Sequence, residues 1–254
     1  MVKPQNLKVL LGGGLACLIL STSLLADGTN PLNSPQWPLM HQRYLNSEPV
    51  VFDDKVTISA PAAAEDSLNV PIAFKVQGLE KVQQVLVIAD LNPIPQILRF
   101  YPEHISPSLA FRIKLQQGSP IHVAAKDDKG TWHVSGVWVD AAGGGCTLPS
   151  VGTSSGDWSK TLGQVSGQLW KREDNNRLRL RIMHPMDTGL ASGIPHFYLE
   201  KMTFSTPDGQ VLARLETFEP ISENPMLSLD IGKYSEVKMS GVDNNGNKIE
   251  AMVQ

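Results

Sequence analysis

Cysteine is nearly absent from this chain, with two in 254 residues. That scarcity excludes a disulfide-stapled scaffold, and equally a metal site built from several thiolates. Aromatic residues are few, at 6%, and no basic cluster runs along the sequence, which carries 22 basic against 25 acidic residues for a net of −3. Nothing there offers the footprint by which a nucleic-acid binder neutralises phosphates. No stretch sustains a helical period long enough for a doubly wound α/β fold. No Ser-His-Asp order stands out, and Gly143 to Gly145 lack the Lys-Ser/Thr that completes a phosphate loop. What remains is ordinary globular composition, 41% hydrophobic and 19% charged, in a chain long enough to bury a core without staples.

The one long apolar run lies at the N-terminus. Lys3 and Lys8 lead into Val9 to Leu25, and Ala26 stands before Asp27. This pattern reads as a secretory signal peptide over residues 1–26, cleaved near Ala26, and predicts a periplasmic protein with no membrane segment after cleavage. The Gly12-Gly13-Gly14 run and Ser21-Thr22-Ser23 argue against a spanning helix. Cleavage takes Lys3 and Lys8 and no acid, so the 22 basic residues fall to 20 against 25 acids, a net of −5. It also takes Cys17, leaving Cys146 alone in an oxidising compartment, where a thiol is either buried and inert or kept for its reactivity.

The rest of the chain reads as two blocks of strands. A short amphipathic helix is predicted over Pro38 to Leu45, with proline in its first turn. Strand patterns follow over Val50 to Ile58, Val70 to Val76, Val82 to Ala89, Leu109 to Leu115, Ile121 to Ala125 and Thr131 to Val139. Phe111-Arg112-Ile113-Lys114-Leu115 alternates, which predicts one buried and one wet face. After a stretch poor in apolar residues, a second block offers Gln164 to Arg172, Arg177 to Met183, Pro195 to Phe204, Val211 to Leu215, Val237 to Val242 and Lys248 to Val253. Turn signals such as Glu173-Asp174-Asn175-Asn176 and Pro207-Asp208-Gly209 separate them. The fold expected is all-β: two immunoglobulin-like antiparallel β-sandwich domains, over residues 27–140 and 164–254, joined by a glycine-rich linker over 141–163.

Candidate chemistry concentrates at Cys146. The strand ending at Val139 is followed by Asp140-Ala141-Ala142-Gly143-Gly144-Gly145 and then the thiol. Three glycines have almost no conformational preference, and Ala141 to Cys146 fully extended reaches about 20 Å. The pattern predicts a mobile arm, Gly143 to Gly145, that carries an exposed thiol of ordinary pKa. No base stands beside it in sequence, so activation is expected from a partner. Met183, His184 and Met186, with His196, Met202 and Cys146, supply soft ligands suited to copper(I) and define the alternative of a periplasmic copper-binding protein. His122 and His133 lie on facing strands and make a second, weaker metal candidate. Asp90-Leu91-Asn92-Pro93 reads as a strand-end turn, with the aspartate bonded to nearby backbone.

The first block resembles SoxY, the sulfur-carrying subunit of the thiosulfate-oxidising complex, in Ala64-Glu65-Asp66, Val70-Pro71-Ile72, Asp90-Leu91-Asn92-Pro93-Ile94-Pro95 and the glycine-flanked Cys146. The second resembles its partner SoxZ in His184-Pro185-Met186-Asp187-Thr188-Gly189-Leu190, Ile194-Pro195-His196-Phe197-Tyr198, Ile221-Ser222-Glu223-Asn224-Pro225 and Val242-Asp243-Asn244-Asn245-Gly246. A single chain of this kind is similar to the SoxYZ-like carriers associated with quinoprotein dehydrogenases. The resemblance implies covalent substrate attachment at Cys146, a swinging arm of Gly143, Gly144 and Gly145, no cofactor and no catalytic residue of its own. It implies two blocks packed on each other. The implied partners are periplasmic redox or sulfur-processing enzymes, among them a quinoprotein dehydrogenase and a c-type cytochrome; a non-catalytic adaptor for such a system is a further alternative. This sequence departs from SoxY in one respect: Thr147-Leu148-Pro149 follow the cysteine and the chain continues, so the arm is tethered at both ends.

Overall fold

The computed structural model describes Met1, residues 30–152 and residues 158–254. The segment expected to be a signal peptide, apart from Met1, and part of the linker lie outside the described residues.

A helix, α1 (Trp37–Tyr44), is followed by eight strands: β1 (Val50–Phe52), β2 (Val56–Ser59), β3 (Val70–Val76), β4 (Val82–Ala89), β5 (Gln96–Pro102), β6 (Ser108–Ile113), β7 (Ser119–Asp127) and β8 (Trp132–Val139). A one-turn helix, α2 (Trp158–Thr161), opens the second half. Its strands are β9 (Val165–Trp170), β10 (Arg177–Ile182), β11 (Asp187–Thr188), β12 (His196–Phe197), β13 (Leu199–Ser205), β14 (Val211–Thr217), β15 (Met226–Asp230), β16 (Val237–Asp243) and β17 (Lys248–Val253).

The two sandwich halves meet edge to edge, and their sheets run on into each other. One sheet has nine strands in the order β1-β8-β7-β4-β5-β14-β13-β16-β17, and the facing sheet six, β2-β3-β6-β15-β10-β9. The halves are therefore stitched twice. β5 pairs with β14 from Pro102 opposite Ala213 to Leu98 opposite Thr217, and β6 pairs with β15 at Ala110–Ser228 and Leu109–Leu229. Alternation drives this layering. Val70, Ile72, Phe74 and Val76 of β3 and Leu178, Leu180 and Ile182 of β10 all point between the sheets, and one buried cluster draws on both halves without a break. All named strand pairs are antiparallel except β1 with β8. The helix α1 covers the outer face of the larger sheet, where Trp37, Met40 and Leu45 pack on Leu86, Ile88, Ala124 and Val134.

Backbone ladders shared between the halves hold them far more firmly than a surface contact would. Cleaving the chain between Gly152 and Trp158 should therefore leave two fragments that co-elute on a sizing column under native conditions. Separate elution would show that the shared ladders contribute too little to hold the halves.

Several sequence expectations change. The Val50 to Ile58 run divides into β1 and β2, and Pro195 to Phe204 into β12 and β13, and in both cases the two parts join different sheets. β5 and β15, which no strand pattern had marked, are both seam strands. Lys114, expected on a wet face, is 2% exposed, because β6 ends at Ile113 and the chain turns inward there.

Candidate functional site

The chain leaving β8 is clipped at once to the segment before β3: the Asp140 amide donates to Ala62 O at 2.9 Å and the Ala64 amide to Asp140 O at 2.7 Å. The glycine run then docks. The Gly143 amide donates to Ser67 Oγ (3.3 Å), Gly144 to Gln116 O (3.2 Å) and Gly145 to Leu115 O (3.1 Å). Gly143 and Gly144 turn the chain with φ of 102° and 85°, values that side chains rarely adopt. Gly145 serves another purpose. A Cβ there would lie 2.2 Å from Ser67 O and 2.6 Å from Leu115 O, so only glycine lets the loop sit this deep.

Cys146 consequently has no exposed surface. Its amide donates to Gln116 Oε1 (3.2 Å), and its thiol lies 3.7 Å from Lys114 O in donor geometry. Asn92 braces that partner segment, its Nδ2 donating to Lys114 O (2.9 Å) and its Oδ1 accepting from the Gln116 amide (2.9 Å). The second half closes the seat. Thr188 Oγ1 donates to Cys146 O at 2.5 Å, Asp187 Oδ1 accepts from the Ser150 amide at 2.9 Å, and the Glu223 carboxylate accepts from the amides of Val151 and Gly152 at 2.8 and 2.9 Å. The thiol thus lies on the seam, gripped by both halves. This corrects the expectation of an exposed thiol on a free arm: each of Gly143, Gly144 and Gly145 spends its amide on the first half.

Burial sets the electrostatics. It pushes the Cys146 thiol up to about 11, against the opposing pull of the Lys114 charge and the Gln116 hydrogen bond. The same burial brings the Lys114 ammonium down to about 8, partly offset by Asp187, Cys146 and Glu223. Lys114 Nζ donates to Met186 O. The seated sulfur is therefore a protonated thiol, a poor nucleophile, held near a buried cation.

His184 supports the seat from behind. Its Nδ1 accepts the Met186 amide (3.1 Å), which puts the ring proton on Nε2, 3.5 Å from Asp243 Oδ2. Met186 itself adopts φ 52°. Burial lowers the His184 pKa to about 4, with Asp243 opposing. A base whose folded pKa lies below its unfolded value of 6.5 gives stability that is present above pH 6.5 and lost as pH falls through about 4. The loss attributable to His184 is on the order of 3 kcal/mol. Urea titrations at pH 7 and pH 4.5 should show His184→Gln losing less stability on acidification than the parent; equal losses would remove His184 from the account.

The other metal candidates do not assemble. Both His184 nitrogens face protein groups, Met186 Sδ accepts the Leu199 amide (3.2 Å), Met202 lies in the core, and His196 is exposed beside Glu219. His122 and His133 stand opposite Gly136 and Ala125 and serve separate carboxylates, Asp90 at 2.8 Å and Asp53 at 2.7 Å. The Asp90 carboxylate, expected to bond nearby backbone, is instead bonded to the side chains of Ser34 and His122. Among the described residues no group of three or more His, Cys, Asp or Glu is placed to hold a metal.

Lys114, Gln116 and Ser67 were not marked by the sequence. Asn92, Asp187, Thr188 and Glu223, by contrast, belong to the peptides that carried the resemblance, and all of them support or grip the cysteine loop.

The family model for the sulfur oxidation protein SoxY matches residues 41–146, ending on the cysteine itself, and that for the sulphur oxidation protein SoxZ matches residues 168–254. No curated protein matches. Among solved structures, the sulfur carrier protein SoxY from Chlorobium limicola f thiosulfatophilum aligns with a TM-score of 0.38 at 16% identity, covering 41% of this chain and 90% of that one.

Proposed function

Because this chain belongs to the SoxY and SoxZ families, one domain after the other, we propose that it is an exported carrier whose Cys146 holds a sulfur species covalently while separate enzymes process it. The observation that carries the reading is the place of Cys146: it ends the SoxY match, and the loop bearing it is seated by peptides of the SoxZ match. The chain is not a catalyst in this reading. Among the described residues no base is bonded to the thiol, whose hydrogen-bond partner is the Lys114 carbonyl.

Loading follows from thiol chemistry. The Cys146 thiolate attacks a sulfur at the disulfide oxidation level, a new S–S bond forms, and the leaving group departs as a thiolate, with no external oxidant. The seated thiol is protonated and closed off, so the loop must first leave the seam. A partner that displaces the loop would raise the thiolate fraction and expose the sulfur in one movement, while an unengaged carrier keeps its thiol from adventitious oxidation. A quinoprotein dehydrogenase and a c-type cytochrome belong to this proposal as partners.

The test is the intact mass of the protein taken from its own compartment before reduction. An adduct that reductant removes, and that Cys146→Ser abolishes, is expected, together with loss of pathway activity in that variant. An unmodified mass with full activity in Cys146→Ser would reduce the protein to an adaptor.

A further inference from the structure

The outward-facing residues of the six-stranded sheet are exposed or half-buried. Its outward positions follow from the buried ones, and they bring together charges that are scattered in sequence. Lys75 on β3, Arg112 on β6 and Arg177, Arg179 and Arg181 on β10 all point outward, against one strand acid, Asp230 on β15. Arg177 takes that acid at 2.9 Å. The other four have no acid within ion-pair distance among the described residues. On the nine-stranded sheet more of the cations are paired, Arg214 with Glu103 at 2.8 Å, Lys126 with Glu48 at 2.6 Å and Lys201 with Glu200 at 3.1 Å, while Arg99 and Lys248 have no acid partner among the described residues. In a chain of net charge −3, unpaired cations gathered on one sheet face are a local reversal of sign.

The face is shaped as well as charged. A groove of about 390 Å³ crosses it, floored by Ala73, Ala110 and Ser228 and flanked by Arg112, Arg179 and Met226. Arg179 donates Nε and Nη2 to the Met226 sulfur, at 3.1 and 2.6 Å, which limits the freedom that guanidinium loses on binding. We propose that this outer face is a docking surface for an acidic protein partner, with Arg112, Arg179 and Arg181 as its contact residues.

The spacing favours a broad occupant over a small anion. β10 and β6 are separated by β15, which sets their arginines about 10 Å apart at ordinary strand spacing. Anion sites enclose their ligand with donors a few ångströms apart, often backbone amides, and the amides inside this sheet are already spent on its ladders. A nucleic acid is disfavoured by the net negative charge of the whole chain, which repels a long polyanion beyond the patch.

The probe is poly-L-glutamate, titrated against the intact protein at low and at physiological ionic strength. The wild type should bind with an affinity that falls steeply with salt. Arg112→Gln/Arg179→Gln/Arg181→Gln, which keeps much of each side chain's stem, should bind about tenfold more weakly, and Arg181→Gln alone roughly threefold. A matched triple, Lys201→Gln/Arg214→Gln/Lys238→Gln on the other sheet, should bind as the wild type does. Cys146→Ser should too, which separates this inference from the carrier reading. No binding by the wild type, or equal weakening in both triples, would overturn it. So would tighter binding of heparin than of poly-L-glutamate, or displacement of the polymer by inorganic sulfate at low millimolar concentration.

Discussion

Thiol reagents should label Cys146 in the folded protein about a hundredfold more slowly than they label a small free thiol at pH 7.5. The sulfur has no exposed surface, so an opening of the seam must precede attack. The rate then follows the open population, and about one molecule in a hundred open gives that factor. The closed thiol stays protonated because burial raises its pKa from 9.0 to about 11. The folded-state rate should go on climbing between pH 9 and pH 11, where a free thiol has already levelled off. In denaturant the difference should vanish. Labelling at the free-thiol rate in native buffer would mean that the seam does not close over the sulfur.

Gly145→Ala is the substitution with the most to reveal. The new methyl would meet two backbone carbonyls, at 2.2 and 2.6 Å, and neither can rotate away as a side chain could. The loop must rise instead, carrying Cys146 out of contact with Gln116 and Lys114. Cys146 should then label tens of times faster than in the parent, about thirtyfold if most of the burial is lost. Overpacking of this kind costs about 1 to 3 kcal/mol, a fall of several degrees in Tm for a chain of this size. Gly144→Ala is the control. Its methyl meets only Leu148 Cδ1, at 4.0 Å, so strain from its positive φ should lower stability by about 1 kcal/mol with little change in labelling. Equal labelling of Gly145→Ala and the parent would show that depth at Gly145 does not hold the thiol in.

The glycine run shows why the position of this cysteine was not legible in the sequence. A residue without Cβ permits free motion and permits close approach, and sequence alone does not separate the two. At Gly145 the second holds, because Ser67 and Leu115 lie where a side chain would go. Lys114 misled for a related reason: alternation predicts an outward lysine only while the strand lasts, and β6 stops one residue earlier. Most other strands were legible from alternation, β3, β4 and β17 to the residue. β5 was not, since Pro95 and Pro102 bracket it and its burial does not alternate. β15 alternates well but spans five residues directly behind Asn224-Pro225. These two strands hold one side of each seam ladder, so their omission hid the continuity of the sheets. The grip of Asp187, Thr188 and Glu223 depends on that continuity and has no local signature.

The doubly stitched seam also bears on how the chain comes to be folded at all. β5 and β6 belong to the first half, yet their partners β14 and β15 lie about a hundred residues downstream. At about 5 to 20 residues per second, synthesis needs on the order of ten seconds to supply them. A first half that folded in that interval would expose two bare strand edges, templates for pairing with any other unfinished chain. Holding the chain unfolded until it is complete would remove that hazard. Once both halves are present, placing them on one polypeptide makes closure of the edges a unimolecular event whose yield does not depend on how much protein the cell makes.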